Sequence, residues 1–205
     1  MAAGWHAGNA AYSTPVGNES AHSFSSTAWA VGDFYQFAVS TLGFQNVTVA
    51  CDQTGSATGP RDFRFSFSTD GVSFTPVGLS YIVLTNGTSA NNEGSGKSTS
   101  VWSSGGSQQS AYALTFDLSA TNSLANQPMV YFRLTVADGA AENGASIGPS
   151  GTDRVDLVKS HFSLQSAPDA TGTYTNIPGA ANPYTDPIGA QQKFYRLIYI
   201  DLQDW

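Results

Sequence analysis

Cysteine is almost absent: Cys51 is the single one in 205 residues. No internal disulfide can form, and a cysteine-based metal set is excluded. The flanking Thr48-Val49-Ala50-Cys51-Asp52 offers no His or Lys to activate a thiolate, so Cys51 reads as a small buried apolar residue. Charge is scarce as well, 11% of residues against about 25% in an average soluble domain. Eight basic residues stand against 15 acids, a net charge of −7. That balance lacks the electrostatic footprint of a nucleic-acid binder and disfavours anionic membrane surfaces. No apolar run approaches the roughly 18 residues of a membrane-spanning helix. No basic-then-apolar signal opens the chain, and Met1-Ala2-Ala3-Gly4 reads as an initiator methionine on a chain whose signal has been removed. Histidine is limited to His6, His22 and His161, in three separate segments; neither H-E-x-x-H nor G-x-S-x-G occurs. A Ser-His-Asp triad can be assembled on paper from any chain this rich in serine, so composition does not argue for one.

Apolar residues make up 40% and aromatics 12%, enough for a core without a covalent staple. Period-two alternation recurs throughout. Tyr35, Phe37 and Val39 share one face, as do Phe63, Phe65 and Phe67, whose strand ends at Ser68-Thr69-Asp70-Gly71. Asp-Gly supplies the positive φ of a tight turn, and Pro76 marks the returning run as an edge or strand end. Further strand-like runs are 47–50, 81–84, 112–118, 130–136, 155–158, 162–165 and 193–200, with no capped helical pattern. About ten short strands on one core predict an all-β, two-sheet antiparallel sandwich of jelly-roll type. Two gaps are long, 85–110 and 137–153; the first is expected to hold a short strand around Val101–Trp102. The chain divides into a sandwich, 1–158, and a C-terminal β-unit, 159–205. In the last run, Tyr195, Leu197 and Tyr199 oppose Phe194, Ile198 and Ile200, and a strand apolar on both faces is a sandwiched one. Residues 193–200 are therefore expected to join the sandwich, with Trp205 covering a seam nearby. Tyr131-Phe132-Arg133-Leu134 echoes Phe194-Tyr195-Arg196-Leu197. Alternation sends each arginine to the face opposite its neighbours, to stack on aromatic surface or pair with a carboxylate.

Three segments carry a resemblance. They are 56–63 leading into Phe67-Ser68-Thr69-Asp70-Gly71-Val72-Ser73-Phe74, Tyr131-Phe132-Arg133-Leu134 with Gly151-Thr152-Asp153-Arg154-Val155-Asp156, and Phe162-Ser163-Leu164-Gln165-Ser166 continuing through Gly172-Thr173-Tyr174-Thr175-Asn176-Ile177-Pro178. Together they resemble exported β-sandwich modules of bacterial surface proteins, often those bearing a PEP-CTERM sorting tail. The resemblance spans about residues 30–200 and implies a sandwich fold and an extracellular or cell-surface location. The sorting tail is not in this sequence, so membrane anchoring is not carried over.

Calcium is the favoured metal, since Asn, Asp and backbone carbonyls of Gly-rich loops supply the oxygens it wants, and the resemblance adds a structural Ca2+ of the kind jelly-roll modules carry. Asp138, Glu142, Asn143 and Asp156 are its candidate ligands. A glycosidase needs two carboxylates across a cleft; most acids here stand in turns, and Asp117 and Asp156 are the strand-borne candidates. Four Trp and nine Tyr offer flat faces on which pyranose rings stack through their CH groups. Trp102, in a polar loop, leads these candidates, followed by Trp29, Trp5, Tyr12 and Tyr184. Three readings follow: a non-catalytic recognition or adhesion module with a glycan ligand, a structural subunit packing against copies of itself, and a polysaccharide hydrolase or lyase. The missing catalytic set favours the first.

Overall fold

The computed structural model describes residues 2–42, 44–86, 101–103, 105, 107–161, 165–173, 175–177, 193–196 and 199–201. Its strands are β1 (Ala2–Trp5), β2 (Tyr12–Ser13), β3 (Phe24–Ser26), β4 (Phe34–Val39), β5 (Val47–Gly55), β6 (Asp62–Ser68), β7 (Thr75–Pro76) and β8 (Tyr81–Ile82). They continue as β9 (Leu84–Thr85), β10 (Ala113–Leu118), β11 (Val130–Val136), β12 (Asp153–His161), β13 (Gln165–Ala167), β14 (Thr175–Asn176), β15 (Phe194–Arg196) and β16 (Tyr199–Asp201). Among the described residues, helical backbone is confined to two single 3-10 turns, Ser110–Tyr112 and Asn122–Leu124. None is long and apolar enough to cross a membrane.

Two sheets pack face to face. The six-stranded sheet runs β1-β4-β11-β6-β7, with β8 also on β6; the seven-stranded sheet runs β10-β5-β12-β3-β2, with β16 on β12 and β9 on β5. Only β5 and β9 pair in parallel among the described strands. Strand alternation supplies the core: Tyr35, Phe37 and Val39 of β4, Phe63 and Phe65 of β6, and Val130, Phe132, Leu134 and Val136 of β11 are all buried. Val47, Val49 and Cys51 of β5 face them from the other sheet. Phe65 stacks on Phe116 of β10 with centroids 3.9 Å apart, and the Tyr35 hydroxyl crosses the core to donate to the Asp153 carbonyl at 2.8 Å. Cys51 lies in this core as an apolar residue, and burial pushes its thiol pKa up.

Local chemistry explains the turns. In the β6–β7 connection Gly71 has φ +74, and a Cβ there would press on the Tyr131 ring at 3.1 Å. Asp70 Oδ1 accepts from the Val72 and Ser73 amides, each at 2.8 Å, and from the Ser68 hydroxyl at 2.7 Å. Pro76 ends a two-residue edge strand. The 137–153 gap is ordered by docking on the 57–61 segment: the Glu142 amide donates to Gly59, Asn143 to Ala57 and Gly148 to Thr58.

Three sequence expectations need correction or placing. The strand expected at Val101–Trp102 is absent, because the Trp102 amide donates to the Asn86 side-chain oxygen at 2.9 Å rather than to a neighbouring strand. The run foreseen at 47–50 extends to Gly55, held by β12 and β9. In the C-terminal segment β16 pairs with β12, while β13, β14 and β15 form a small sheet of their own. Tyr184, Trp205 and residues 162–164 lie outside the described residues.

Candidate functional site

The outer face of the six-stranded sheet gathers the aromatics and the arginines. Register places Trp5, Phe34, Thr135 and Arg64 in one cross-strand row, and Gln36, Arg133, Ser66 and Pro76 in the next. Alternation forces this, since each residue's inward neighbour belongs to the core. Trp5, 51% exposed, stacks on Phe34 at 5.4 Å with the rings 13° from parallel. The Arg133 guanidinium lies between two rings, 3.8 Å from the Phe34 centroid and 3.6 Å from that of Phe74. Its Nε donates to Gln36 Oε1 at 2.8 Å. Each cation–π contact is worth about 0.5–1 kcal/mol at such a partly exposed site. The result is a continuous stack, Trp5–Phe34–Arg133–Phe74, crossing the sheet. Beside it opens a groove of about 340 Å3 lined by Gly32, Arg64, Ser66, Phe74, Pro76 and Thr135 among others. Apolar rings flanked by a few fixed polar groups are the usual makeup of a small-ligand surface.

The sequence candidates scatter. Trp5 stands on this face. Tyr12, about half exposed, does not join it: its ring lies where a Cβ of Gly4 would point, on the opposite side of β1, and stacks on Phe24 at 5.6 Å. Trp29 and Trp102 are not surface platforms. Trp29 is a core residue whose indole N–H donates to the Ser26 carbonyl at 3.0 Å. Trp102 is only 2% exposed; its indole N–H donates to the Val16 carbonyl at 2.8 Å and its ring meets Tyr112 edge-on. Its polar sequence neighbours concealed that burial, which comes from residues 16, 86 and 112.

One constellation escaped the sequence. Ser26 Oγ lies 3.0 Å from His6 Nε2, and His6 Nδ1 lies 3.2 Å from Asp33 Oδ2, the order of a hydrolytic triad. Asp33 also accepts from the Ala7 and Ala30 amides, and His6 Nδ1 donates to the same carboxylate. Yet Ser26 and Asp33 are fully buried, and Trp29 lies 4.2 Å from the imidazole ring. A nucleophile needs an approach for its substrate, and this hydroxyl has none. The chain of bonds ties the segment after β1 to the ends of β3 and β4. No spacing at 6, 26 and 33 signals it.

The acids are not one cluster. Among the described residues no three His, Cys, Asp or Glu side chains converge in a metal-binding group. Asp138 and Asn143 each accept the amide two residues on, at 2.9 and 3.0 Å, as turn formers do. Asp156 stands directly across from Asp52 on the outer face of the seven-stranded sheet, both buried. Asn18 bridges them: its amide donates to Asp156 at 2.5 Å and its side chain to Asp52 at 2.7 Å. Ser20 adds a hydroxyl to Asp156, and Gln108 donates to both Asp52 oxygens. Asp117 caps Ser119 at the exposed end of β10, far in register from Asp156. Glu142 is fully buried, and burial together with Asp153 pushes its pKa up to about 10.

Neither the family models nor the curated proteins searched yield a match to this chain.

Proposed function

We propose that the protein is a non-catalytic, extracellular or cell-surface recognition module that binds glycan on the outer face of its six-stranded sheet. The observation that carries the reading is the Trp5–Phe34–Arg133–Phe74 stack beside an open groove. A sugar ring offers CH groups to the exposed indole and hydroxyls to Gln36, Arg64 and Ser66. Arginine held between two rings has lost most of its rotamer freedom before any ligand arrives, so its remaining donors are preorganised. The buried Ser26 argues against a hydrolase built on the Ser26–His6–Asp33 chain.

Affinity electrophoresis against a panel of polysaccharides, followed by a glycan array, tests this. Wild type is retarded by at least one polysaccharide, and Trp5→Ala or Arg133→Ala weakens binding about tenfold, equivalent to about 1.4 kcal/mol. Binding indifferent to both substitutions, or no binding to any glycan, sinks the reading.

A structural subunit is the second reading, favoured by β10. It forms one edge of the seven-stranded sheet, six residues long and without proline, and among the described residues no strand covers its outer side. Such an edge accepts a strand from a neighbouring copy. Light scattering at high protein concentration separates the two, since a strict monomer excludes assembly through β10.

A further inference from the structure

We propose that Glu142 and Asp153 form a calcium site inside the sandwich, at the Gly55 position of β5. Among the described residues, three buried carboxylate oxygens, both of Glu142 and Oδ2 of Asp153, have no hydrogen-bond partner, and neither residue forms an ion pair. Glu142 is 0% and Asp153 1% exposed. The fold brings them together in a specific way. Asp153 pairs directly with Gly55 across β12 and β5, so a side chain at Gly55 would stand beside that of Asp153. There is none, and Glu142 fills the slot: a Cβ built on Gly55 would collide with Glu142 Oε1. The Thr152 carbonyl oxygen lies 3.2 Å from the same point. Glycine at 55 thus admits a second carboxylate next to the first.

Two carboxylates taken from water are strongly unfavourable, and the Arg154 charge that acts on Asp153 forms no ion pair with either of them. Protonation removes the charge but not the defect, because a buried carboxyl O–H still needs an acceptor, and among the described residues no hydrogen bond reaches either Glu142 oxygen. A hard cation satisfies all three oxygens at once. Calcium fits better than magnesium: it accepts irregular sets of carboxylates and carbonyls, whereas magnesium demands a near-octahedral shell and keeps its waters. Residue 142 is also held rigidly, its amide bonded to the Gly59 carbonyl at 3.1 Å and the next amide to Ala57 at 2.8 Å. The carboxylate is therefore positioned by the docked 137–153 loop rather than free to swing into solvent. This set excludes Asp138, Asn143 and Asp156, whose oxygens accept the bonds described above.

The test uses the full chain. Metal content is measured on protein purified without chelator, then melting is followed after EGTA treatment and on return of calcium, magnesium or zinc. About one calcium per chain is expected, and calcium in hundredfold excess over its dissociation constant raises the melting temperature by about 5–10 °C. Magnesium and zinc give far smaller shifts. Glu142→Gln and Asp153→Asn abolish the calcium-dependent shift. If either fails to fold, the metal content and EGTA response of the wild type decide alone. Wild type with no bound calcium and no shift overturns the site, as does Glu142→Gln melting higher than wild type in saturating calcium, the mark of a merely protonated acid pair. A zinc response exceeding that of calcium overturns it too.

Discussion

The outer faces of the two sheets, built by the same strand alternation, differ in what lies over them, although at the β10 edge the outward Ala113, Thr115 and Asp117 of the seven-stranded sheet are exposed as well. On the six-stranded sheet the outward residues Trp5, Phe34, Arg133 and Arg64 remain in contact with solvent to varying degrees. On the seven-stranded sheet the outward Asp52, Thr54 and Asp156 are buried: Asn18, Ser20 and Gln108 reach the two carboxylates, and Thr54 donates to the Leu84 carbonyl. A strand dictates which residues leave the core; chain elsewhere decides whether those residues meet water. The six-stranded sheet is left with rings and arginines in contact with solvent, and the covered middle of the seven-stranded one is a polar interior in which Asp52 and Asp156 are met by hydrogen-bond donors.

Two tryptophans measure the contrast most directly. Trp102→Ala removes a buried indole and an indole hydrogen bond from the covering segment, and is expected to cost about 3–5 kcal/mol. Glycan binding per folded molecule should be unchanged. Trp5→Ala does the reverse, costing about 1 kcal/mol as a half-exposed residue while removing the platform. Chemical denaturation and affinity electrophoresis on the same two samples check both halves. A Trp102→Ala protein of native stability that has lost binding would invert the assignment of the faces.

Next in size is Asn18. Like charges directly opposite on a sheet repel, and Asn18 supplies donors to both Asp52 and Asp156. Asn18→Ala keeps the backbone donor to Asp156 but strips Asp52 of one partner and the Gln109 backbone of two bonds, an expected loss of about 2–3 kcal/mol. An additional Asp52→Asn should recover much of that loss. A double variant no more stable than Asn18→Ala alone would mean that carboxylate repulsion is not what Asn18 relieves.

Most of the sandwich was legible in the sequence because β4 and β11 are buried on one face only, which leaves a clean alternation at 35/37/39 and 130/132/134/136, and because the apolar residues of β6 alternate at 63/65/67 even though Asp62, Ser66 and Ser68 on its other face are also buried. Arg133 was legible for the same reason: its strand parity sends it outward, and the rings of Phe34 and Phe74 receive it. The second half of β5 was not. From Asp52 to Gly55 every residue is buried, so the alternation that marks a half-exposed strand disappears, and polar residues there look like a loop. Trp102 was misplaced through a related blindness: its cover comes from residues distant in sequence. Glu142 was picked out as a candidate ligand by its Gly-rich loop, but its neighbour Asp153 could be found only from the β5–β12 register.

The Ser26–His6–Asp33 chain comes next. Its burial predicts that Ser26 is inert, so a fluorophosphonate probe should leave the folded protein unlabelled. Ser26→Ala should cost about 1 kcal/mol, the value of one internal hydrogen bond. Stoichiometric labelling of wild type, lost in Ser26→Ala, would show that the site opens to solvent and would move the protein towards hydrolysis.

The smallest expected effect lies on the open side, in the β6–β7 turn. Two amides and a hydroxyl donate to Asp70, and these bonds hold its carboxyl well below the ordinary value of 3.8. A carboxylate whose pKa is lower folded than unfolded stabilises the fold fully above the unfolded value. That contribution fades as pH falls below it and protons bind the unfolded chain first. Asp70→Asn keeps an acceptor oxygen but loses the charge, so the variant should melt slightly below wild type at pH 6. The gap should close as pH drops below about 3.8, with the turn Gly71 and the Tyr131 contact unchanged in both proteins. Asp70 is exposed, so salt should shrink the pH 6 gap as well, whereas screening reaches the buried Asp52–Asp156 pair far less. A gap that persists undiminished at pH 2 would mean that the turn depends on the shape of the Asp70 side chain and not on its charge.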